Sequence, residues 1–204
     1  KSIMYLMARA AKQAGTPAIR TSSIRDVIAI KEETGLPVIG LVKVQYPGYE
    51  GFITPTMKEV DDLVAAGSDI VALDCTLRKR GDGSTVNEFI AQIREKYPDI
   101  ILMADISNYE EGINAWKCGV DIVGTTMSGY TAYTSSVSDG PDYELMERLS
   151  RDINIPVIGE GRIHYPDQAV KALQTGAWAI VVGGAITRPL EIAMRFQNAI
   201  KESR

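Results

Sequence analysis

Short β-branched runs alternate with stretches of 3.6-residue periodicity along the chain, and the last two such runs end in glycine. Together these features predict an α/β fold, a TIM-type (β/α)8 barrel that binds phosphate. The closing segments carry most of the signal: Val157-Ile-Gly-Glu-Gly-Arg162 is followed by Val181-Val-Gly-Gly-Ala-Ile-Thr-Arg188.

The strands are expected at 18–21, 37–43, 70–74, 100–106, 122–126, 156–161 and 179–184. Their apolar, β-branched composition suits parallel strands buried on both faces. Helices are expected near 2–14, 22–34, 56–66, 86–97, 108–118, 141–153, 165–175 and 188–203. Gly15, Gly35, Gly67, Gly119 and Gly176 each fall just past a helix, where a left-handed residue terminates it. Thr56, Asn108 and Asp142 stand where N-caps belong. Eight helices and seven strands, with a helix first, are most simply a barrel whose first strand precedes Lys1. Without that strand the sheet keeps unpaired edges, and poor activity is expected. An open, doubly wound sheet is the competing architecture. No linker divides the chain, so residues 1–204 are read as one domain. Two long loops, 44–54 and 127–140, follow strand C-terminal ends, the side on which barrel active sites are built.

Composition narrows the function classes. The 204 residues are 45% apolar and 24% charged, with a net charge of −4. No basic block is present, so nucleic acid is not an expected partner. No apolar run approaches the roughly 18 residues of a membrane span, so no membrane partner is expected either. Cys75 and Cys118 make no disulfide framework, and a reduced, cytoplasmic setting follows.

The glycines that end the last two strands, Gly161, Gly183 and Gly184, let backbone N–H groups approach an anion closely. Arg162 adds a charge beside them. Five charged residues stand at strand ends: Arg20, Lys43, Asp74, Asp105 and Glu160. Buried charges must be paired or functional. Desolvation would lower the pKa of Lys43 and raise that of Glu160, and the two on opposite sides of a sugar would suit proton transfer α to a carbonyl. A buried Lys–Glu ion pair is the competing reading. His164 is the only histidine, which excludes a poly-histidine metal site and leaves a rim position as its expected place. A metal held by Asp74, Asp105 and Glu160 is a further alternative, though hard cations also want carbonyl and water ligands. The run Ser128-Gly-Tyr-Thr-Ala-Tyr-Thr134 suits either a sugar or plain loop packing.

Taken together, the segments Ala18-Ile-Arg-Thr21, Pro37-Val-Ile-Gly-Leu-Val-Lys43, Phe52-Ile-Thr-Pro-Thr56, Ala72-Leu-Asp-Cys-Thr76, Leu102-Met-Ala-Asp-Ile-Ser107, Val123-Gly-Thr-Thr-Met-Ser-Gly-Tyr-Thr131, Gly159-Glu-Gly-Arg-Ile163 and Val182-Gly-Gly-Ala-Ile-Thr-Arg-Pro189 resemble the N-acetylmannosamine-6-phosphate 2-epimerase family. The resemblance implies interconversion of N-acetylmannosamine 6-phosphate and N-acetylglucosamine 6-phosphate in sialic-acid breakdown, with no cofactor and no metal. It implies Lys43 and Glu160 as the acid/base pair at C2. Arg20 and Asp105 would position the sugar and stabilise charge. Ser128, Gly129, Tyr130, Thr131 and Arg188 would contact or cover it, and Gly161, Arg162, Gly183 and Gly184 would hold the phosphate. The family also carries a first strand, with a glutamine near the sugar, that lies outside this sequence. Alternatives are another phosphosugar barrel enzyme, such as a 3-epimerase or decarboxylase, and a non-catalytic phosphosugar-binding barrel. Phosphosugar barrels are often homodimers, and helix 188–203 has an apolar side that could pack in cis or on a partner.

Overall fold

The computed structural model describes residues 2–135 and 140–203. Positions 136–139 of the long loop after the fifth strand lie outside the described residues, as does Lys1. All seven expected strands are present: β1 (Ile19–Ser22), β2 (Val38–Leu41), β3 (Ile70–Asp74), β4 (Ile101–Asp105), β5 (Ile122–Gly124), β6 (Val157–Glu160) and β7 (Ala179–Val181). They form one parallel sheet in sequence order, β1 to β7. This order, with a helix after each strand, is the right-handed β/α winding of a barrel and not the reversing order of a doubly wound sheet. Among the described residues β1 and β7 each pair on one side only, so the barrel is nearly closed.

The eight expected helices are α1 (Met4–Gln13), α2 (Ile24–Thr34), α3 (Met57–Ala65), α4 (Val86–Lys96), α5 (Tyr109–Lys117), α6 (Tyr143–Asp152), α7 (Pro166–Gln174) and α9 (Pro189–Glu202). The five punctuating glycines have φ between 63° and 97°. Thr56 caps α3 in a reciprocal box with Glu59, Asn108 caps Glu111 N, and Asp142 caps Leu145 N.

Two of the differences from the expected boundaries bear on the site. The last strand stops at Val181, and Gly183 and Gly184 instead start a one-turn helix, α8 (Gly184–Thr187), with Gly183 at its N-cap. Phosphate-binding barrels place a short extra helix after their final strands. The second strand leaves the parallel sheet at Leu41; Lys43 then bridges Ile53 in antiparallel fashion. The loop therefore folds back onto its own strand.

Side-chain parity divides the core in two. Val38, Val71, Leu73, Leu102, Ala104, Val123 and Val157 face the helices and pack with Val27, Ile30, Leu63, Ile90, Ile93 and Leu149. Ile39, Leu41, Ala72, Met103 and Ile158 face the interior, with Ile53 and Met127 from the loops. The alternation is the period-two pleat of a strand, and it decides which strand-end residues point into the mouth.

Leu149 on α6 is fully buried in the outer layer. Leu149→Ala should cost about 2–5 kcal/mol of stability, measured by urea denaturation.

Candidate active site

The inward parity that runs through Met103 and Ile158 continues two residues on to Asp105 and Glu160, the last residues of β4 and β6. Arg20, next to outward-packed Ile19 on β1, shares this parity. Three strands that are not neighbours thus deliver their charges to one point. The Arg20 Nη2 donates to Asp105 Oδ2 at 2.7 Å, and its Nε lies 3.2 Å from Glu160 Oε2. The Asp105 side chain is fully buried, and those of Arg20 and Glu160 are 7% and 18% exposed. Burial works against the Arg20 charge, but Asp105 and Glu160 outweigh it and raise its pKa. For Glu160 burial is the largest influence and pushes the carboxyl upward; Arg20 opposes this, Asp105 adds to it, and a hydrogen bond donated by Thr126 and the Lys43 charge pull the other way.

Lys43 is not a buried residue, although its charge is felt at Glu160. It is exposed, and among the described residues its side chain makes no ion pair. The competing reading of a buried Lys–Glu pair is therefore replaced: Glu160 pairs with Arg20. Lys43 is exposed because its strand has already turned away from the sheet. Its backbone is nonetheless fixed. Buried Thr54 accepts from Val42 N at 3.2 Å and donates to Ala72 O at 2.6 Å, tying the returning loop to both β2 and β3. Thr54 holds φ 46°, a left-handed conformation unusual for a β-branched residue.

The loop after β5 is organised from its root. Thr125 Oγ1 accepts from Glu160 N at 3.1 Å and donates to Glu160 O at 2.9 Å, so it holds that residue's backbone. Thr126 Oγ1 lies 2.7 Å from Asp105 Oδ1 and 3.2 Å from Glu160 Oε2. The Ser128 hydroxyl donates to Asp142 Oδ2 at 2.7 Å, and the Thr131 hydroxyl lies 2.6 Å from that of Thr134. Both residues are buried and brace the loop, whereas Tyr130 is exposed. Gly129 has φ 79°, and a Cβ there would collide with the Arg162 guanidinium. Arg162 itself sits at φ 55°, directly after Gly161 at φ 105°. Its guanidinium lies 5.9 Å from the Tyr130 ring centroid. The loops after β5 and β6 are therefore keyed together.

Other expected residues fall outside the cluster. Asp74 pairs with Arg78 at 2.6 Å and with the Thr76 hydroxyl at 2.6 Å. Among the described residues no three His, Cys, Asp or Glu side chains converge as a metal site. Arg188 joins α8 to α9 and pairs with Glu191 at 2.8 Å, largely exposed. His164 is half-buried, with its backbone N–H donating to Gln168 Oε1.

Glu111, which sequence reasoning did not single out, is buried on the first turn of α5. Its Oε2 accepts from Ser107 N at 2.7 Å and Ser107 Oγ at 2.6 Å. Its Oε1 accepts from Leu77 N at 3.1 Å and Tyr133 Oη at 2.5 Å. One carboxylate thus joins the loops after β3, β4 and β5. Glutamate in a first helical turn is an ordinary choice, so no local pattern marks this role.

Arg20→Met should destabilise the fold by about 3–5 kcal/mol in chemical denaturation, because it strands the buried Asp105 and the partly buried Glu160 carboxyl groups. The pH dependence has a defined sign. Folded Glu160 binds its proton more tightly than an unfolded glutamate, so its ionisation costs stability, and that cost is relieved as pH falls through its folded pKa. Relative to Glu160→Gln, the unaltered protein should gain stability between about pH 7 and about pH 5 in paired urea titrations; a loss would contradict the raised pKa.

Comparison with known proteins agrees with this geometry. Residues 4–202 match the family model described as "Putative N-acetylmannosamine-6-phosphate epimerase". A Caldanaerobacter subterraneus subsp. tengcongensis protein named "Putative N-acetylmannosamine-6-phosphate 2-epimerase" is 56% identical over 202 residues, which are 99% of this chain and 85% of that protein. A Clostridium perfringens protein of the same name is 50% identical, over 98% of this chain and 89% of its own. The solved structure of the N-acetylmannosamine-6-phosphate 2-epimerase from Clostridium perfringens superposes with a TM-score of 0.91 at 49% identity, over 97% of this chain and 85% of that one. A thiamine phosphate pyrophosphorylase from Pyrococcus furiosus shares the fold alone, at 21% identity and a TM-score of 0.60. The chain belongs to the N-acetylmannosamine-6-phosphate 2-epimerase family.

Proposed function

We propose that this protein interconverts N-acetylmannosamine 6-phosphate and N-acetylglucosamine 6-phosphate by removing the C2 proton and returning one to the opposite face. The observation that carries the reading is at the mouth: a partly buried Glu160 held by Arg20, with a raised pKa, and an exposed Lys43 whose backbone is fixed and whose charge acts on Glu160. In the open-chain sugar the C1 carbonyl acidifies C2. A base takes the proton, the electron pair moves into an enolate, and an acid on the far face protonates C2 and inverts it. Lys43 and Glu160 are assigned these two roles. A buried carboxyl titrating above the usual range can hold a proton or accept one near neutral pH. Arg20 and Asp105 fix Glu160 and border the sugar.

The phosphate is assigned to the backbone N–H groups at Gly161, Gly183 and Gly184, with Arg162 as the neighbouring cation. Tandem left-handed residues at 161 and 162 and the short helix starting at Gly184 support this assignment. Gly129, Tyr130 and Arg188 are placed at the rim, where Tyr130 and Arg188 are exposed; Ser128 and Thr131 serve the sugar indirectly, by bracing that loop. No helix among the described residues is long and apolar enough to cross a membrane. Assembly as a homodimer fits α9, none of whose described residues is buried although Leu190, Met194, Phe196 and Ile200 are apolar.

Lys43→Ala and Glu160→Gln should each abolish solvent-deuterium incorporation at C2 while binding of the sugar phosphate persists, followed by NMR and calorimetry. Turnover with no isotope exchange, after internal proton return is excluded, would refute proton transfer. Sedimentation equilibrium should give a dimer that Phe196→Asp dissociates; a monomeric parent protein would refute the assembly.

A further inference from the structure

Thr126 offers one hydroxyl to two carboxyl groups. Its Oγ1 is 2.7 Å from Asp105 Oδ1 and 3.2 Å from Glu160 Oε2. A hydroxyl carries a single proton and two lone pairs, and an ionised carboxylate can only accept. Both contacts cannot be donated by Thr126 at once. The shorter one, at an ordinary O–H···O length, claims the proton; the longer one leaves an oxygen lone pair aimed at Glu160. That second contact can be made in two ways: Thr126 turns its proton from Asp105 to an ionised Glu160, which would lower the pKa of that carboxyl, or a protonated Glu160 is itself the donor.

We propose that Thr126 is a positioning residue for the acid form of Glu160: it donates to Asp105 and accepts from protonated Glu160, completing the chain Glu160–Thr126–Asp105. The proposal rests on the assignment of Glu160 as an acid/base group.

Of the surrounding charges Asp105 favours the acid form of Glu160, Arg20 and Lys43 favour the ionised form, and burial outweighs these two. Arg20 from β1 reaches both carboxyl groups, with Nη2 on Asp105 Oδ2 and Nε near Glu160 Oε2. Asp105 comes from β4, and Lys43 acts from beyond the end of β2. The Asp105 oxygens then each have one donor, Arg20 for Oδ2 and Thr126 for Oδ1. The remaining Oε2 lone pair of a protonated Glu160 still faces Arg20 Nε, so in the acid form each of these four contacts joins a donor to an acceptor. Ionised Glu160 keeps Arg20 but faces the Thr126 lone pair. When Glu160 delivers its proton to C2, that opposition appears and favours recovery of a proton. Thr125, the preceding residue, bonds only the backbone of Glu160, so the two adjacent hydroxyls have separable effects.

The test is a carbon-13 NMR titration of the Glu160 carboxyl in the ligand-free protein, with the resonance assigned by its loss in Glu160→Gln. Thr126→Val, which keeps the shape and removes the hydroxyl, should lower the midpoint by about half to one pH unit, as expected for one net hydrogen bond. Thr126→Ser should restore it, and Thr126→Ala serves if the valine variant does not fold. A midpoint that rises would mean that Thr126 donates to ionised Glu160, and a midpoint that stays put would mean that the contact has no energetic weight; either result overturns the proposal. The titration uses no substrate, so its outcome is independent of whether the sugar phosphate is turned over. In turnover, the valine variant should lower kcat with KM retained and move the pH profile.

Discussion

One arginine between a buried and a partly buried carboxyl group is the constraint around which the mouth of this barrel is built. Removing a charge from water is expensive unless a partner replaces the solvent. Arg20 does this for Asp105 and Glu160 together, using separate nitrogens of one planar fork. The count does not balance: two acids share one cation. The shortfall sits on the less buried of the two, Glu160, whose carboxyl is accordingly pushed upward. A strand geometry that displaced any one of the three side chains would leave another stranded. The register of β1, β4 and β6 and the electrostatics of the site are thus a single problem.

Much of this was legible in the amino-acid order. A buried strand shows as a β-branched run, and its parity follows from the pleat, so Asp105 and Glu160 could be assigned to strand ends before any coordinate. Glycines past helices and side-chain caps before them fixed the joints. The illegible parts share a cause. Lys43 read as a strand residue because Val42 and its predecessors are apolar, while its departure depends on pairing with Ile53 ten residues later. Helix α8 is a single turn, too short for a 3.6-residue period, and its glycines look the same as a strand's end. Thr126 and Glu111 act through partners on other strands and loops, and nothing in the neighbouring sequence marks such convergence.

The loops over the mouth divide into roots and tips. Roots are pinned: Thr54 ties the β2 loop to β3, Thr125 ties the β5 loop to β6, and Glu111 ties the loops after β3, β4 and β5 into one set. These bonds are short, local in space and largely shielded from water, conditions that keep the charged groups at the mouth at fixed separation. Farther out, the Tyr130 and Tyr133 rings are exposed even though the Tyr133 hydroxyl is held by Glu111.

The Thr125–Thr126 pair has an evolutionary consequence. Because adjacent residues at a strand end point in opposite directions, one threonine grips the main chain of Glu160 while the other reaches its carboxyl group. A single inserted or deleted residue between Gly124 and Met127 would exchange the two duties and leave neither performed. Length changes at the base of this loop would therefore break both contacts, whereas changes in its outer half would leave them intact, and related chains have room to diverge in the second place and not in the first.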